Sequence, residues 1–74
     1  MEKLLTLLAD VRPDVDFATA QNLVTDGIID SLDLVTIIGE LKAEYAVNIS
    51  VLDIVPENFD SAQAMLALIT KLSK

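Results

Sequence analysis

The sequence contains no cysteine, no histidine and no tryptophan, and only two prolines and two glycines among its 74 residues. Without thiols or imidazoles the chain can form no disulfide and lacks the side chains that most transition-metal sites use, so we expect no metal centre. Its longest apolar run, 64–69, is six residues, whereas a membrane-spanning helix needs about 20. Hydrophobic packing is therefore left as the main source of stability in a very small domain.

Basic residues are also scarce, since five lysines and arginines face twelve aspartates and glutamates, for a net charge of -7. Such a surface repels nucleic-acid phosphates and anionic membranes, and it attracts partners that carry basic patches. The alternative is that the charge only keeps a small apolar protein in solution. The segment 1–5 shows no basic region leading to a cleavage site, so we expect a cytoplasmic protein without stable membrane insertion.

Aliphatic side chains are abundant, at 53% hydrophobic residues, and they recur at helical spacing. Apolar residues three and four apart predict a first helix over Glu2–Val11, which ends before Pro13. A stronger helix is predicted over Ser31–Tyr45, and Asp30 before it has the short acceptor side chain of an N-cap. The predicted inner stripe of this second helix comprises Leu34, Ile37, Ile38, Leu41 and Tyr45.

The connection between these helices, 14–30, is longer than the loops of about 12–15 residues that compact domains usually tolerate. Its regular apolar residues favour an ordered loop pinned to the core. These residues are Val15, Phe17, Leu23, Val24, Ile28 and Ile29.

After the second helix we expect a short helical turn over Ser50–Ile54 and then a last helix. Asp60 or Ser61 caps that helix, and Asp60 with Gln63 has the spacing of a capping box. The predicted inner stripe of the last helix comprises Met65, Leu68, Ile69 and Leu72, and the basic residues that suit its dipole are Lys71 and Lys74. The prediction is an all-α domain over 1–74, a monomeric bundle of three main helices plus a short third helix, with a long first loop.

Ser31 lies where the long loop meets the second helix, and two kinds of chemistry compete for it. A serine nucleophile needs a general base, usually histidine, and none exists here. Lysine can substitute as the base in principle, but all four lysines fall on predicted exposed positions: Lys3, Lys42, Lys71 and Lys74. As an attachment point the serine is better placed, because a helix N-terminus favours a phosphate. The alternative is that Asp-Ser-Leu simply starts a helix.

The segment 26–35, Asp-Gly-Ile-Ile-Asp-Ser-Leu-Asp-Leu-Val, resembles the attachment-site signature of acyl carrier and peptidyl carrier proteins. The likeness covers nearly the whole chain in length, acidity and helix order. The segment 56–61 is also similar to the one before the last helix in stand-alone carriers. The resemblance implies an acyl-carrier-like bundle in which Ser31, between Asp30 and Leu32, carries 4′-phosphopantetheine through a phosphodiester.

The same resemblance implies a carrier that catalyses nothing itself. The thiol of the pantetheine arm would hold an acyl or aminoacyl group as a thioester, and the protein would deliver it between biosynthetic enzymes. A phosphopantetheinyl transferase would install the arm from coenzyme A, using magnesium held mainly by that enzyme. Other implied partners are an acyl- or aminoacyl-loading ligase and downstream acyltransferases or synthases. The cargo is left open among fatty acyl, polyketide, amino-acid and D-alanyl groups.

Part of the second helix points away from its core stripe. Relative to Leu34, the residues Leu32, Val35 and Gly39 lie at roughly 160°, 100° and 140° by the helical repeat. The resemblance implies that this helix is the docking surface of the carrier. We therefore expect partners to contact the residues Leu32, Asp33, Val35, Gly39 and Glu40.

Alternatives to this interpretation remain open at the level of sequence. Val35 can instead pack under the long loop, against Ile28 or Ile29. The chain can be an unmodified helical interaction module that uses the same helix surface, or Ser31 can be a site of regulatory phosphorylation. We also expect Asp33, Glu40 and Glu44 to line an exposed acidic side of the helix, which a basic partner would recognise.

Overall fold

The computed structural model describes residues 1–73, and within that range it contains helices and no β-strand. The α-helices are α1 (Glu2–Val11), α2 (Ser31–Tyr45), α3 (Pro56–Phe59) and α4 (Ala62–Leu72), and a 3₁₀ turn spans Val51–Asp53. The predicted all-α fold class is confirmed, and the predicted bounds of the first two helices agree with the structure. The expected dipole contact of Lys74 lies outside the described residues.

The chain between α2 and α4 folds as two short helical pieces. Ser50 precedes the 3₁₀ turn, and its backbone N–H and its hydroxyl both donate to the Asp53 carboxylate at 3.2 Å. The short α3 follows, with Pro56 at its first position, where the fixed φ of proline suits a helix and its missing N–H costs no hydrogen bond. The predicted turn over Ser50–Ile54 is therefore confirmed as a 3₁₀ turn, while α3 is a separate helix that the sequence prediction did not include.

The core draws side chains from every helix and from the long loop. The largest fully buried side chains are Leu4, Leu8, Leu23, Ile37, Leu41, Phe59 and Met65. Helix α1 contacts both α2 and α4, so the core lies where the three main helices meet. On α2 only Ile37 and Leu41 are buried, while the other members of the predicted stripe, Leu34, Ile38 and Tyr45, are half-buried at its margin.

The long loop is pinned to the core as predicted, because Phe17, Leu23 and Ile29 are buried. Ile28 instead faces outward, although it precedes a buried residue. A backbone turn separates the pinned parts at Gly27, whose φ of 70° lies in the left-handed region that glycine adopts at little cost. The loop therefore arrives at α2 in a defined path.

The start of α4 corrects one prediction. Ser61 is the N-cap, and its hydroxyl accepts a hydrogen bond from the Ala64 N–H at 3.1 Å. The expected capping box of Asp60 with Gln63 is wrong, because the Asp60 side chain points to the long loop. Its carboxylate accepts from the N–H groups of Val24 and Thr25, at 3.0 and 2.9 Å, and from the Thr25 hydroxyl at 2.7 Å.

A backbone bond reinforces this connection, since the Leu23 N–H donates to the Asp60 carbonyl at 2.9 Å. Asp60 thus fastens the middle of the long loop to the junction between α3 and α4. None of the helices in residues 1–73 is both long and apolar enough to cross a bilayer.

Candidate functional site

Ser31 is the first residue of α2, and the helix start is built by the residues on either side of it. Asp30 has extended backbone angles, and its carboxylate accepts from the Asp33 N–H at 2.8 Å. The Asp33 carboxylate in turn accepts from the Asp30 N–H at 3.3 Å. These two reciprocal bonds form a capping box in which aspartates replace the usual Ser/Thr and Glu/Gln. The predicted N-cap role of Asp30 is confirmed, and the returning bond from Asp33 is an addition.

Because the Asp30 carboxylate already accepts from the Asp33 N–H, the hydroxyl of Ser31 is not needed as a helix cap. Ser31 is exposed, so a group attached to its oxygen would displace no core side chain. The N-terminus of a helix carries a partial positive charge and free N–H groups, which favour a bound phosphate. The position therefore fits a phosphodiester to a long flexible arm.

The structure describes three lysines within residues 1–73, namely Lys3, Lys42 and Lys71. The Lys3 side chain contacts the C-terminal end of α2, where its Nζ lies 3.5 Å from the Glu44 carboxylate and 4.9 Å from the Tyr45 ring centroid. Lys42 and Lys71 are exposed, as predicted, and Lys74 lies outside the described residues. Among residues 1–73 no group of three or more histidine, cysteine, aspartate or glutamate side chains is arranged to hold a metal ion.

The outward side of α2 beside Ser31 is apolar. Leu32 is 77% exposed and Val35 is 67% exposed, so the alternative in which Val35 packs under the long loop is wrong. Gly39 and Glu40 are exposed further along the helix. A Cβ added at Gly39 would meet no atom within 4 Å, so internal packing does not require a glycine there.

Asp33 does not lie on an exposed acidic side with Glu40 and Glu44, and that expectation is wrong. Its side chain is only 19% exposed and forms an ion pair with Arg12. The hydrogen bond that Arg12 donates to the Asp33 carboxylate is the main reason that the pKa of Asp33 lies below its ordinary value. Glu44 is exposed but also paired, with Lys3, so Glu40 is left as the exposed acid of this side that has no ion pair among the described residues.

The sequence prediction missed a second exposed apolar pair. Val51 and Leu52, in the 3₁₀ turn, are 84% and 89% exposed, more than any other large apolar side chain of the described residues. A turn of three residues has no repeating pattern from which its outward face can be inferred. Exposed apolar side chains of this size are typical of surfaces that bind other proteins when they lie together.

Arg12 is the other residue that sequence reasoning did not select. It follows the last residue of α1, and its guanidinium contacts three groups. Nε and Nη2 donate to the two oxygens of Asp14 at 2.9 and 2.7 Å, while Nη1 donates to the Ile28 carbonyl at 3.2 Å and to the Asp33 carboxylate. The bidentate bond to Arg12 lowers the pKa of Asp14 to about 2. Arg12 thereby connects α1 to both flanks of the segment that contains Ser31.

Comparison with protein-family models, curated proteins and solved structures finds no match to this chain. The function is therefore inferred from the placement of Ser31, from the surface of α2 and from the likeness of the segment 26–35.

Proposed function

We propose that this protein is an acyl carrier protein that is not itself an enzyme. It carries an acyl or aminoacyl group as a thioester on 4′-phosphopantetheine attached to Ser31, and it delivers that group between biosynthetic enzymes. The observation that carries the proposal is an exposed serine at the first position of α2, beside a cap formed entirely by Asp30 and Asp33. The carrier-like signature of 26–35 and the order of long loop, long helix and short pieces support the same function.

In this function Ser31 supplies the oxygen that forms the phosphodiester. The bond forms between the Ser31 oxygen and the phosphorus that bears the pantetheine of coenzyme A, and 3′,5′-adenosine diphosphate leaves. The nearby carboxylates of Asp30 and Asp33 are engaged in the capping box, so we assign removal of the hydroxyl proton to the transferase. When bound, the cofactor supplies the terminal thiol that the cysteine-free chain lacks.

The partners in this proposal are a phosphopantetheinyl transferase, a loading ligase, and downstream acyltransferases or synthases, each meeting a monomeric carrier. Leu32 and Val35 would provide the apolar contact beside the modified serine. Glu40 and the net charge of -7 would steer a basic partner surface to the carrier, because complementary fields speed encounter. Gly39 would let a partner approach the helix backbone closely.

The packing of the core determines what a cargo chain would have to displace to enter the bundle. The side chains that would line a chain-sheltering pocket, Ile37, Leu41, Met65 and Leu68, are packed together in the core. A long fatty chain inside the bundle would require the helices to separate, and close-packed cores resist such insertion. A cargo that stays outside the bundle needs no such separation, and the cargo is left open among fatty acyl, polyketide, amino-acid and D-alanyl groups.

The test is modification in vitro. Purified protein is incubated with coenzyme A, magnesium and a transferase of broad specificity, and intact-mass spectrometry should show the addition of one phosphopantetheine. Ser31→Ala should remain unmodified, and Ser50→Ala, which removes an exposed serine at the start of the 3₁₀ turn, should be modified like the wild type. An unchanged wild-type mass with several transferases, or modification of Ser31→Ala, would overturn the proposal.

Mass spectrometry of protein purified from its own host separates the alternatives. Pantetheine on Ser31 supports the carrier. A phosphate mass without pantetheine indicates regulatory phosphorylation instead. An unmodified Ser31, together with a partner complex that survives Ser31→Ala, indicates an interaction module.

A further inference from the structure

The ion-pair cluster of Arg12 lies next to the modified segment but is used neither by the core nor by the docking surface. The Arg12 side chain is 28% exposed, and its guanidinium spans from Asp14 at the start of the long loop to Asp33 on α2. Arg12 is held at the end of α1 by its backbone N–H, which donates to the Leu8 carbonyl at 2.9 Å. The cation is therefore anchored to a packed helix.

The two contacts of Nη1 lie on opposite sides of Ser31 in the chain. The Ile28 carbonyl is three residues before Ser31, and Asp33 is two residues after it. Asp33 also closes the capping box with Asp30. One guanidinium nitrogen thus ties together the last turn of the loop, the first turn of α2 and the cap between them.

The shape of the guanidinium is what makes this connection possible. Its planar fork has five donors, so one edge can hold Asp14 in a bidentate pair while the remaining nitrogen reaches Ile28 and Asp33. A lysine carries a single ammonium and would satisfy only part of this set. The bidentate partner Asp14 restricts the rotation of the guanidinium, which directs Nη1 to the segment that contains Ser31.

We propose that Arg12 is a positioning residue for the modification of Ser31, because it holds residues 28–33 in the geometry in which the transferase receives the hydroxyl. This inference rests on the proposed carrier function. It concerns orientation and not docking, since Arg12 does not belong to the exposed surface of Leu32 and Val35. Loss of Arg12 is therefore expected to lower kcat for pantetheine transfer and to leave KM for the carrier unchanged.

The experiment compares Arg12→Gln and Arg12→Lys with Lys3→Gln. The last variant is a matched control, because Lys3 is also a cation of α1 that pairs with α2, at Glu44. Each variant is first shown to be folded by circular dichroism at the assay temperature. Transfer from coenzyme A is then followed at several carrier concentrations, so that kcat and KM are obtained separately.

We expect Arg12→Gln to lower kcat about tenfold with KM within about twofold of the wild type. The kcat of Arg12→Lys should lie between those of Arg12→Gln and the wild type, and the kcat of Lys3→Gln should equal that of the wild type. In amide NMR spectra, Arg12→Gln should shift the Asp30 and Asp33 resonances, whereas Lys3→Gln should not. If Arg12→Gln does not fold, Arg12→Lys decides, with a lower kcat at unchanged KM as the supporting result.

Two outcomes overturn the inference in distinguishable ways. If the wild type is modified and both Arg12 variants have the same kcat as the wild type, Arg12 has no positioning role, while the carrier function still stands. If no transferase modifies the wild type, both the carrier function and the role of Arg12 are refuted. A rise in KM without a change in kcat would also contradict the inference, because it would place Arg12 in docking.

Discussion

Leu32 and Leu41 lie on the same helix in opposite surroundings, and replacing each by alanine should separate stability from function. Leu41 is fully buried. Leu→Ala changes in a packed core cost about 2–5 kcal/mol. A domain of 74 residues has a free energy of unfolding of about 4–11 kcal/mol in total. Leu41→Ala should therefore lose a large share of the stability and unfold at much lower urea concentration.

Leu32→Ala should leave stability nearly unchanged. Complete burial of a leucine is worth about 1.5–3 kcal/mol. Since Leu32 is 77% exposed, its covered quarter contributes only about 0.4–0.7 kcal/mol. The corresponding fall in melting temperature is a few degrees at most for a domain of this size.

The functional effect is expected to be the reverse. If a transferase covers the exposed part of Leu32, the lost contact is worth about 1–2 kcal/mol. That loss corresponds to a kcat/KM about 5- to 30-fold lower. It should appear mainly in KM, in contrast to the kcat effect expected for Arg12.

Urea unfolding followed by far-ultraviolet circular dichroism measures the stability, and pantetheine transfer measured by mass spectrometry gives kcat/KM. An unfolding midpoint for Leu32→Ala as low as that of Leu41→Ala would refute the orientation of α2. An unchanged kcat/KM for Leu32→Ala would refute the docking role of this surface.

Two further predictions concern the glycines and the acid stability of the fold. Gly39→Ala should raise the melting temperature by about 4–8 °C, because alanine is favoured in a helix by about 1 kcal/mol and its Cβ meets open space. Gly27→Ala should lower the melting temperature, because the φ of 70° at this position is unfavourable for alanine. Calorimetry that shows a lower melting temperature for Gly39→Ala would contradict the expectation for that variant. Hydrogen bonds from the hydroxyl and N–H of Thr25 lower the pKa of Asp60, so its contribution is present above the ordinary pKa of about 3.9 and is lost as pH falls through the lower folded value. Urea midpoints from pH 7 down to pH 2.5 should therefore fall less steeply below about pH 4 for Asp60→Asn than for the wild type or the exposed control Asp26→Asn; parallel curves for all three would contradict this.

Local patterns were sufficient for the main helices and for the start of α2. The bounds Glu2–Val11 and Ser31–Tyr45 follow from apolar spacing within each segment, and the N-cap at Asp30 follows from a side chain that bonds three residues ahead. The exposure of Leu32 also follows from its angle on the helix. Each of these features depends on residues within about one helical turn, and such residues are also close together in the sequence.

Contacts between distant segments were not predictable in the same way. Asp60 looked like a helix cap, but it bonds Val24 and Thr25, which are 36 and 35 residues away. Arg12 carried no sequence signal, and its bond to Asp33 spans 21 residues. A polar side chain in a local motif has several possible partners, and only the packed chain decides which of them is near.

The sequence by itself determined where the three main helices form and which serine begins the second one, since both depend on short-range spacing and on capping side chains. Only the tertiary structure decided which of Ile28 and Ile29 faces the core, that Val35 stays outside it, and that Arg12 ties the end of α1 to the segment around Ser31. The physical reason is that the path of the long loop depends on its buried side chains in the core and on its bonds to Arg12 and Asp60, and no stretch of neighbouring residues contains that information.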